Sequence, residues 1–356
     1  MSTMQNHPAT FLRNAWYCAG FSESLEPGQL KHLTVLNEPL VLWRDAEGLL
    51  RIMADRCPHR FAKLSGGKIV DGSVECPYHG LRFGAQGQCV HNPHGNGKIP
   101  AAAVVRGYAA LERFDMLWVW MGNPDLAQPE LLPDYSQIVE SPTRTRVNGM
   151  LHVRANYQLV IDNLMDLSHV NFLHPFLRNA EEFPPEYSVR NEVSQGERSV
   201  TAINEWTHSP TNMLFKSLWE HGDAPRYCQM RGHMHWHAPS MLYLDAGATY
   251  VGRPQSEGPS VPTAHILTPE TDTTTHYFWV TARDTYLGNP QVSEQMSVGV
   301  DAAFRLEDEP MIESIQQGMN TDDLLSLKPV LLSTDAAAVR ARRVLAQLIA
   351  AEQARA

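Results

Sequence analysis

The sequence predicts an α+β fold in two domains: an all-β N-terminal domain, residues 1–122, and a C-terminal domain, residues 123–356, in which an antiparallel sheet wraps over a long helix. Three observations lead there. A chain of 356 residues can build two hydrophobic cores. Up to about residue 120 the apolar stretches are short and separated by turn chemistry, which is a strand pattern. Beyond that point one segment with helical spacing is followed by a run of strand-like segments.

In chain order, residues 15–20, 40–44 and 49–54 read as strands, and Asp45, Ala46, Glu47 and Gly48 join the last two as a hairpin. Gly66–Gly67 and Asp71–Gly72 are turns that let a second loop face a first. Residues 106–113 and 116–121 close the β domain, with Trp118 and Trp120 on one strand face as core. Pro124, Pro129 and Pro133 keep residues 123–134 out of regular structure, so this stretch carries the chain into the second domain. In residues 155–174, Leu159, Val160, Leu164, Leu167 and Val170 recur at helical spacing, while Asp162, Asp166 and His169 fall on another face. Strand-like segments follow at 187–193, 200–206, 229–238, 241–245, 263–267 and 275–281. Residues 311–319 and 334–353 read as helices, the latter with an apolar stripe of Val339, Val344, Leu345, Leu348 and Ile349.

The charge balance restricts partners. With 29 Lys and Arg against 39 Asp and Glu, the net charge is −10, which argues against nucleic acid and anionic lipid. A local basic docking patch is still compatible with that total. No apolar run is long enough to span a bilayer, so no membrane role is expected and the chain reads as cytoplasmic. Five cysteines, an odd number, speak against a disulfide framework; Cys18, Cys89 and Cys228 read as small buried residues.

Chemistry concentrates first in CPHRFAKLSGGKIVDGSVECPYHGLRF, residues 57–83. Cys57-x-His59 and Cys76-x-x-His79 are separated by sixteen residues, and each pair mixes thiolate with imidazole in a loop rich in Pro or Gly. That mixture fits a Rieske [2Fe–2S] cluster, in which two His replace two Cys on one iron. A Cys2His2 zinc site accepts the same donors, although it commonly places both Cys first and both His second.

A second concentration lies in ANYQLVIDNLMDLSHVNFLH, residues 155–174, where Asn163, Asp166, His169 and His174 are all groups that bind metals. Two His with a carboxylate form the facial triad of non-haem Fe(II) oxygenases, which leaves positions open for dioxygen. His169 and His174 are five residues apart, about 140° around an ideal α-helix, so a regular helix cannot bring them to one ion. A π-type widening or an unwound turn would do so. Asp166 could complete the set, or could sit behind His169 and accept its other ring N–H. His233, His235 and His237 alternate along one strand and could form a separate three-His metal site, or simply a polar sheet face.

CPHR followed by CPYHGLRF resembles the signature of the Rieske non-haem iron oxygenases, and QCVHNPHGNG (88–97) with HILTPET (265–271) resembles the branch of vanillate and dicamba O-demethylase oxygenase components. The resemblance covers nearly the whole chain. It implies a helix-grip second domain and a mononuclear Fe(II) held by His169, His174 and a third ligand, an Asp on a C-terminal helix. In FRLEDEPMIES that position is best matched by Asp308, with Glu307 and Glu309 as competitors and Pro310 expected to break the helix there. It also implies a head-to-tail homotrimer in which Asp166 connects His169 to His79 of the next chain, and a substrate contact at His265. The activity implied is that of a terminal oxygenase using O2 and electrons from an NAD(P)H-dependent reductase, directly or through a ferredoxin. It would oxidise an aromatic acid by O-demethylation or methyl hydroxylation. An anion on that substrate would find donors in His265, the 233–237 histidines and Arg231. Ring hydroxylation is the alternative with the same metals, and a Rieske electron-transfer protein is the alternative that needs only the cluster.

Overall fold

The computed structural model describes residues 10–178 and 181–355 and separates the chain into two units, one ending at Leu132 and the other beginning at Pro133. The division falls later than residue 122. The proline-rich stretch forms 3-10 turns at Pro124–Leu126 and Pro129–Leu131, and the Trp16 indole N–H donates to the Gln128 carbonyl at 2.9 Å, tying it to the first unit.

The strands of the first unit are β1 (Trp16–Phe21), β2 (Lys31–Val35), β3 (Glu38–Arg44), β4 (Leu50–Ala54), β5 (Lys68–Val70), β6 (Ser73–Glu75), β7 (Arg82–Phe83), β8 (Cys89–His91), β9 (Gly107–Arg113) and β10 (Met116–Trp120). They form two antiparallel sheets, ordered β1-β10-β9-β4-β3-β2 and β5-β6-β7-β8. The hairpin β3–β4 forms as its turn chemistry predicts, the Asp45 carboxylate accepting from the amides of Glu47 and Leu49 at 3.1 and 2.9 Å. β10 is buried on both faces, and Trp43, Trp118 and Trp120 lie in the core. The first Cys-His loop runs from β4 of the larger sheet to β5 of the smaller, and the second joins β6 to β7 within the smaller.

The second unit is built on one antiparallel sheet of β11 (Thr145–Val153), β12 (Ser188–Gln195), β13 (Ser199–Pro210), β14 (Tyr227–His237), β15 (Met241–Thr249), β16 (Thr263–Thr271) and β17 (Thr274–Arg283). The spatial order is β11-β17-β16-β15-β14-β13-β12. Its register sets which side chains share a face, because alternate residues point to opposite sides. Trp236, Leu242, His265, Trp279 and Gly149 are successive cross-strand partners and form one row. His235, Tyr243, Ala264, Val280 and Asn148 form the neighbouring row on the opposite face.

The helices are α1 (Ser136–Val139), α2 (Tyr157–Met165), α3 (Val170–Leu173), α4 (Met213–Leu218), α5 (Pro290–Ala302), α6 (Glu309–Met319) and α7 (Ala336–Gln353). Residues 155–174 are not one helix. Asn156 caps α2 through its side chain, Asp166 is extended at φ −111° and ψ 96°, a 3-10 turn spans Leu167–His169, and α3 ends at His174. α5, a π segment Ala303–Asp308 and α6 run on without a break, so Pro310 does not interrupt the helix. A proline clashes with the carbonyl four residues back, and the widened turn before it relieves that crowding. β11 and α5 were not legible in advance: β11 is half-exposed over most of its length and α5 buries only Met296 fully, so neither shows a strong apolar period.

α7 is fastened to α2 by a buried, bidentate ion pair. Arg342 donates to both Asp162 carboxylate oxygens at 2.6 to 3.0 Å and to Gln158 at 3.1 Å. Removing one partner would strand the other charge, a cost of about 3 kcal/mol. Arg342→Ala is therefore expected to lower the melting temperature of the second unit by roughly 6–12 °C. The paired replacement Asp162→Leu with Arg342→Met should recover most of that loss in calorimetry, and an unchanged single-variant midpoint would contradict the assignment.

Candidate metal centres and substrate site

Two loops of the first unit have matching backbones. Cys57 N–H donates to the Ala62 carbonyl and Phe61 N–H to the Cys57 carbonyl, both at 2.9 Å; Cys76 N–H donates to Leu81 at 2.8 Å and Gly80 N–H to Cys76 at 3.0 Å. The fourth residue after each Cys takes a left-handed conformation, Phe61 at φ 61° and Gly80 at φ 70°. Phe61 bears that strain under the Arg56 guanidinium, which lies 3.9 Å from its ring centre.

The loops put two thiols inside and two imidazoles outside. Cys57 and Cys76 are buried and unbridged, whereas His59 is exposed and His79 half-exposed, their ring centres 4.5 Å apart. Burial pushes the Cys57 thiol up to about 11, and the adjoining Cys76 adds to the rise. His79 Nδ1 is buried without a partner, and the His79 carbonyl is held by His94 Nε2 at 2.8 Å. Buried paired thiols and an unpartnered imidazole nitrogen are donors in want of a metal group, so these residues fit a two-Cys, two-His iron–sulfur cluster.

In the second unit His169, His174 and Asp308 offer ligand atoms that all lie within 4.8 Å of one another. Asp308 Oδ1 is 3.5 Å from His169 Nε2 and 3.4 Å from His174 Nε2, and the two Nε2 atoms are 3.3 Å apart. The break at Asp166 and the 3-10 turn reorient His169, and the π segment presents Asp308. The widening expected between the two His therefore occurs in the helix that carries the carboxylate. Burial pushes His174 down, but Asp308 and Glu307 outweigh it and hold its pKa above the ordinary value. Three convergent donors of this kind suit Fe(II).

The supporting groups differ from expectation. His169 Nδ1 meets the main-chain carbonyl of Asp166, and the Asp166 carboxylate caps the next turn by accepting from Ser168 N–H at 2.8 Å. Asn163 donates to Asp308 Oδ1 at 3.0 Å. Glu307 accepts from His174 Nδ1 at 2.6 Å, a role that the sequence reading missed by weighing Glu307 only as a rival ligand. The rule that a ligating His donates its other nitrogen to a carboxylate would have found it. Glu309 lies outside the donor set.

His265 lies on the face that carries the iron-type site. Its Nδ1 is 2.7 Å from the Tyr277 hydroxyl, and Phe304 of the π segment stands over both, with ring centres 5.7 and 5.1 Å away. Burial holds His265 down to about 3, so the imidazole is neutral, able to hydrogen-bond but carrying no charge. Arg231, His233, His235 and His237 alternate with that face and point the other way. Arg231 is bound to Asp245, His233 lies 3.3 Å from Glu205 and His235 3.0 Å from Thr201, and among the described residues the group of three or more His, Cys, Asp or Glu placed to hold a metal does not include this strand.

A β domain with this donor set, followed by a sheet gripping a helix with a two-His, one-carboxylate site, defines a Rieske non-haem iron oxygenase. Family comparisons agree. Residues 15–108 match the Rieske [2Fe–2S] domain, and residues 153–351 match the vanillate O-demethylase oxygenase C-terminal domain. The chain belongs to the vanillate O-demethylase oxygenase family. It is 37% identical to the oxygenase component of chloroacetanilide N-alkylformylase from Rhizorhabdus wittichii, over 96% of this chain and 97% of that one. It is 35% identical to the oxygenase component of dicamba O-demethylase from Stenotrophomonas maltophilia, over 95% and 98%. The crystal structure of dicamba monooxygenase bound to 3,6-dichlorosalicylic acid superposes with a TM-score of 0.88 at 34% identity, covering 97% of this chain and all of that one. The protein is thus a monooxygenase component that uses a Rieske cluster, a mononuclear iron and O2, and works with a separate reductase. Among the described residues no helix is long and apolar enough to cross a membrane.

If Glu307 fixes His174, Glu307→Ala should weaken mononuclear iron binding about tenfold to a hundredfold while the cluster spectrum stays intact. Glu307→Gln, whose side-chain carbonyl can still accept the hydrogen bond from His174 Nδ1–H, should lose less. Equal iron affinity in all three proteins, measured by chelator competition, would remove Glu307 from the site.

Proposed function

We propose that this oxygenase acts on a monocyclic aromatic acid and oxidises a methoxy or methyl carbon, with O-demethylation as its main reaction. The observation that carries the reading is the placement of the His169, His174 and Asp308 set beside an aromatic wall. Asp308 acts electrostatically on both His265 and Tyr277, and Phe304, one helical turn before Asp308, packs on both rings. A benzene ring suits a wall of aromatic rings with few polar groups. The vanillate family match and the dicamba relative support a methoxy aromatic acid.

In this reading Cys57, His59, Cys76 and His79 hold the cluster, and His169, His174 and Asp308 hold the iron. When bound, the two groups supply single electrons and the activation of dioxygen. The protein's own groups fix the geometry: the Asp166 carbonyl holds the His169 ring, Glu307 holds His174 Nδ1–H, and Asn163 orients Asp308. Phe304 and Tyr277 pack together, ring centres 5.1 Å apart, as the aromatic wall a bound ring would meet. In the overall balance one oxygen atom enters a C–H bond and the other leaves as water. Two electrons come from NAD(P)H through the reductase, directly or by way of a ferredoxin. A hydroxylated methoxy carbon then expels the phenol as its C–O bond breaks, and leaves as formaldehyde.

The assembly is read as a head-to-tail homotrimer in which Asp166 of one copy connects its His169 to His79 of the next. Charge supports this. The first unit carries twelve basic and twelve acidic residues, so the net −10 belongs to the second unit. Arg56, Arg60 and Lys63 are exposed beside His59, a basic edge that complements the acidic unit of another copy.

Purified with a reductase, the holoenzyme should release formaldehyde and the matching phenol from one or more methoxybenzoates. A ring-hydroxylated product without formaldehyde would move the reading to ring hydroxylation, and two rather than three irons per chain would move it to an electron carrier. Trimers mixed from His79→Ala and His169→Ala chains should regain turnover, because some interfaces then pair an intact cluster with an intact iron. Verified mixed trimers that remain inactive would place electron transfer within one chain.

A further inference from the structure

Seven of the chain's eight indole N–H groups fall into two sets. Those of Trp16, Trp43, Trp118, Trp120 and Trp219 each donate to an oxygen at 2.7 to 3.1 Å. Those of Trp236 and Trp279 are buried without a partner, and both residues lie in the sheet row that contains His265. His265 Nε2, in the same row, is also buried without a partner. A buried donor with no acceptor is unfavourable, so three such groups in one row call for an explanation.

His265 and Trp279 are directly opposite on adjacent strands and project to the same face, where Phe304 packs against both, its ring centre 6.4 Å from that of Trp279. Tyr277 positions the imidazole through the 2.7 Å contact of its hydroxyl with Nδ1; when the hydroxyl is the donor, the proton of the neutral ring is on Nε2. Gly149 fixes the indole. A Cβ there would lie 2.4 Å from the ring, so the absence of a side chain is what allows Trp279 to lie over β11, with its Nε1 above Gly149, two strands from β16, which carries His265. Trp236 stands on the other side of His265, beyond Leu242.

We propose that the Trp279 indole N–H is a second recognition donor for the substrate, taking an oxygen acceptor of the bound aromatic while His265 takes another. The substrate class is then an aromatic that carries, besides its reacting methyl or methoxy group, a carbonyl, carboxylate or sulfonyl oxygen. This rests on the aromatic-substrate reading above.

The test uses calorimetric titration of the holoenzyme without reductase. The probes are the ortho, meta and para isomers of methoxyacetophenone, each paired with the ethylanisole that differs only by the ketone oxygen. At least one ketone should bind wild type about tenfold more tightly than its partner, and Trp279→Phe should abolish that advantage with little effect on the ethylanisole. Gly149→Ala, which keeps the indole but displaces it, should reduce the advantage and serves as the second variant should Trp279→Phe fail to fold. Trp236→Phe should leave it intact. The proposal is overturned if no ketone outbinds its partner, if Trp279→Phe keeps the advantage or weakens both probes alike, or if Trp236→Phe abolishes it equally. An advantage that depends on Trp279, in an enzyme releasing no formaldehyde from any methoxy aromatic, would sink the demethylation reading and leave the donor standing.

Discussion

Three donor atoms have to meet around one ion, and an α-helix does not deliver them. His169, His174 and Asp308 each sit where regular helix gives way: in a 3-10 turn, at a helix end with φ −107°, and at the end of a π segment. The neighbouring hydrogen bonds serve that departure. The main-chain carbonyl freed by the extended Asp166 is the group that meets the His169 ring, and its carboxylate starts the next turn. The rest of the second unit braces these irregular places. Arg342 grips α2 from one side, while Glu313 binds Arg154 and Gln316 accepts from the Asn156 N–H at the start of α2.

The first unit solves a different problem with the same economy. Its two loops share a hydrogen-bond plan, yet one spaces Cys and His by one residue and the other by two. Thiols placed inward and imidazoles outward turn the nitrogen side of the site toward solvent, where another protein surface can reach it. The orphaned Nδ1 of His79 and the paired, buried thiols of Cys57 and Cys76 fit donors to a metal group.

Much of this was legible in the sequence, and unevenly so. CPHR and CPYHG mark the cluster because donor type and loop residues coincide, and the hairpin at Asp45–Gly48 follows from its turn residues alone. Asp308 needed the family resemblance, because three carboxylates in a row share every local property except which way they point. Glu307 shows that limit: it faces the same histidine as Asp308 but meets the opposite ring nitrogen. The 233–237 histidines show another. Strand period tells that they share a face, and only the pairing of β14 through β15 to β16 reveals that it is not the face of His265. The interruption at Asp166 could be inferred as necessary, but its place could not, since the apolar spacing continues across it.

The π segment also governs what the long helix can do beyond its own turn. Residues four apart drift about 40° per step around an α-helix, so a contact stripe written at intervals of four would wind about 120° over three steps. Phe304, Asp308, Ile312 and Gln316 are written at that interval, and all four have inward tasks: covering the aromatic wall, facing the two histidines, filling the core and holding the amide of Asn156. Widening the turn slows the rotation where the stripe begins and keeps these positions in phase. The irregularity thus acts as a gear between two periodicities, and a residue inserted or removed there would put Gln316 and Glu313 out of step with α2 as surely as it would turn Asp308 away from the histidines.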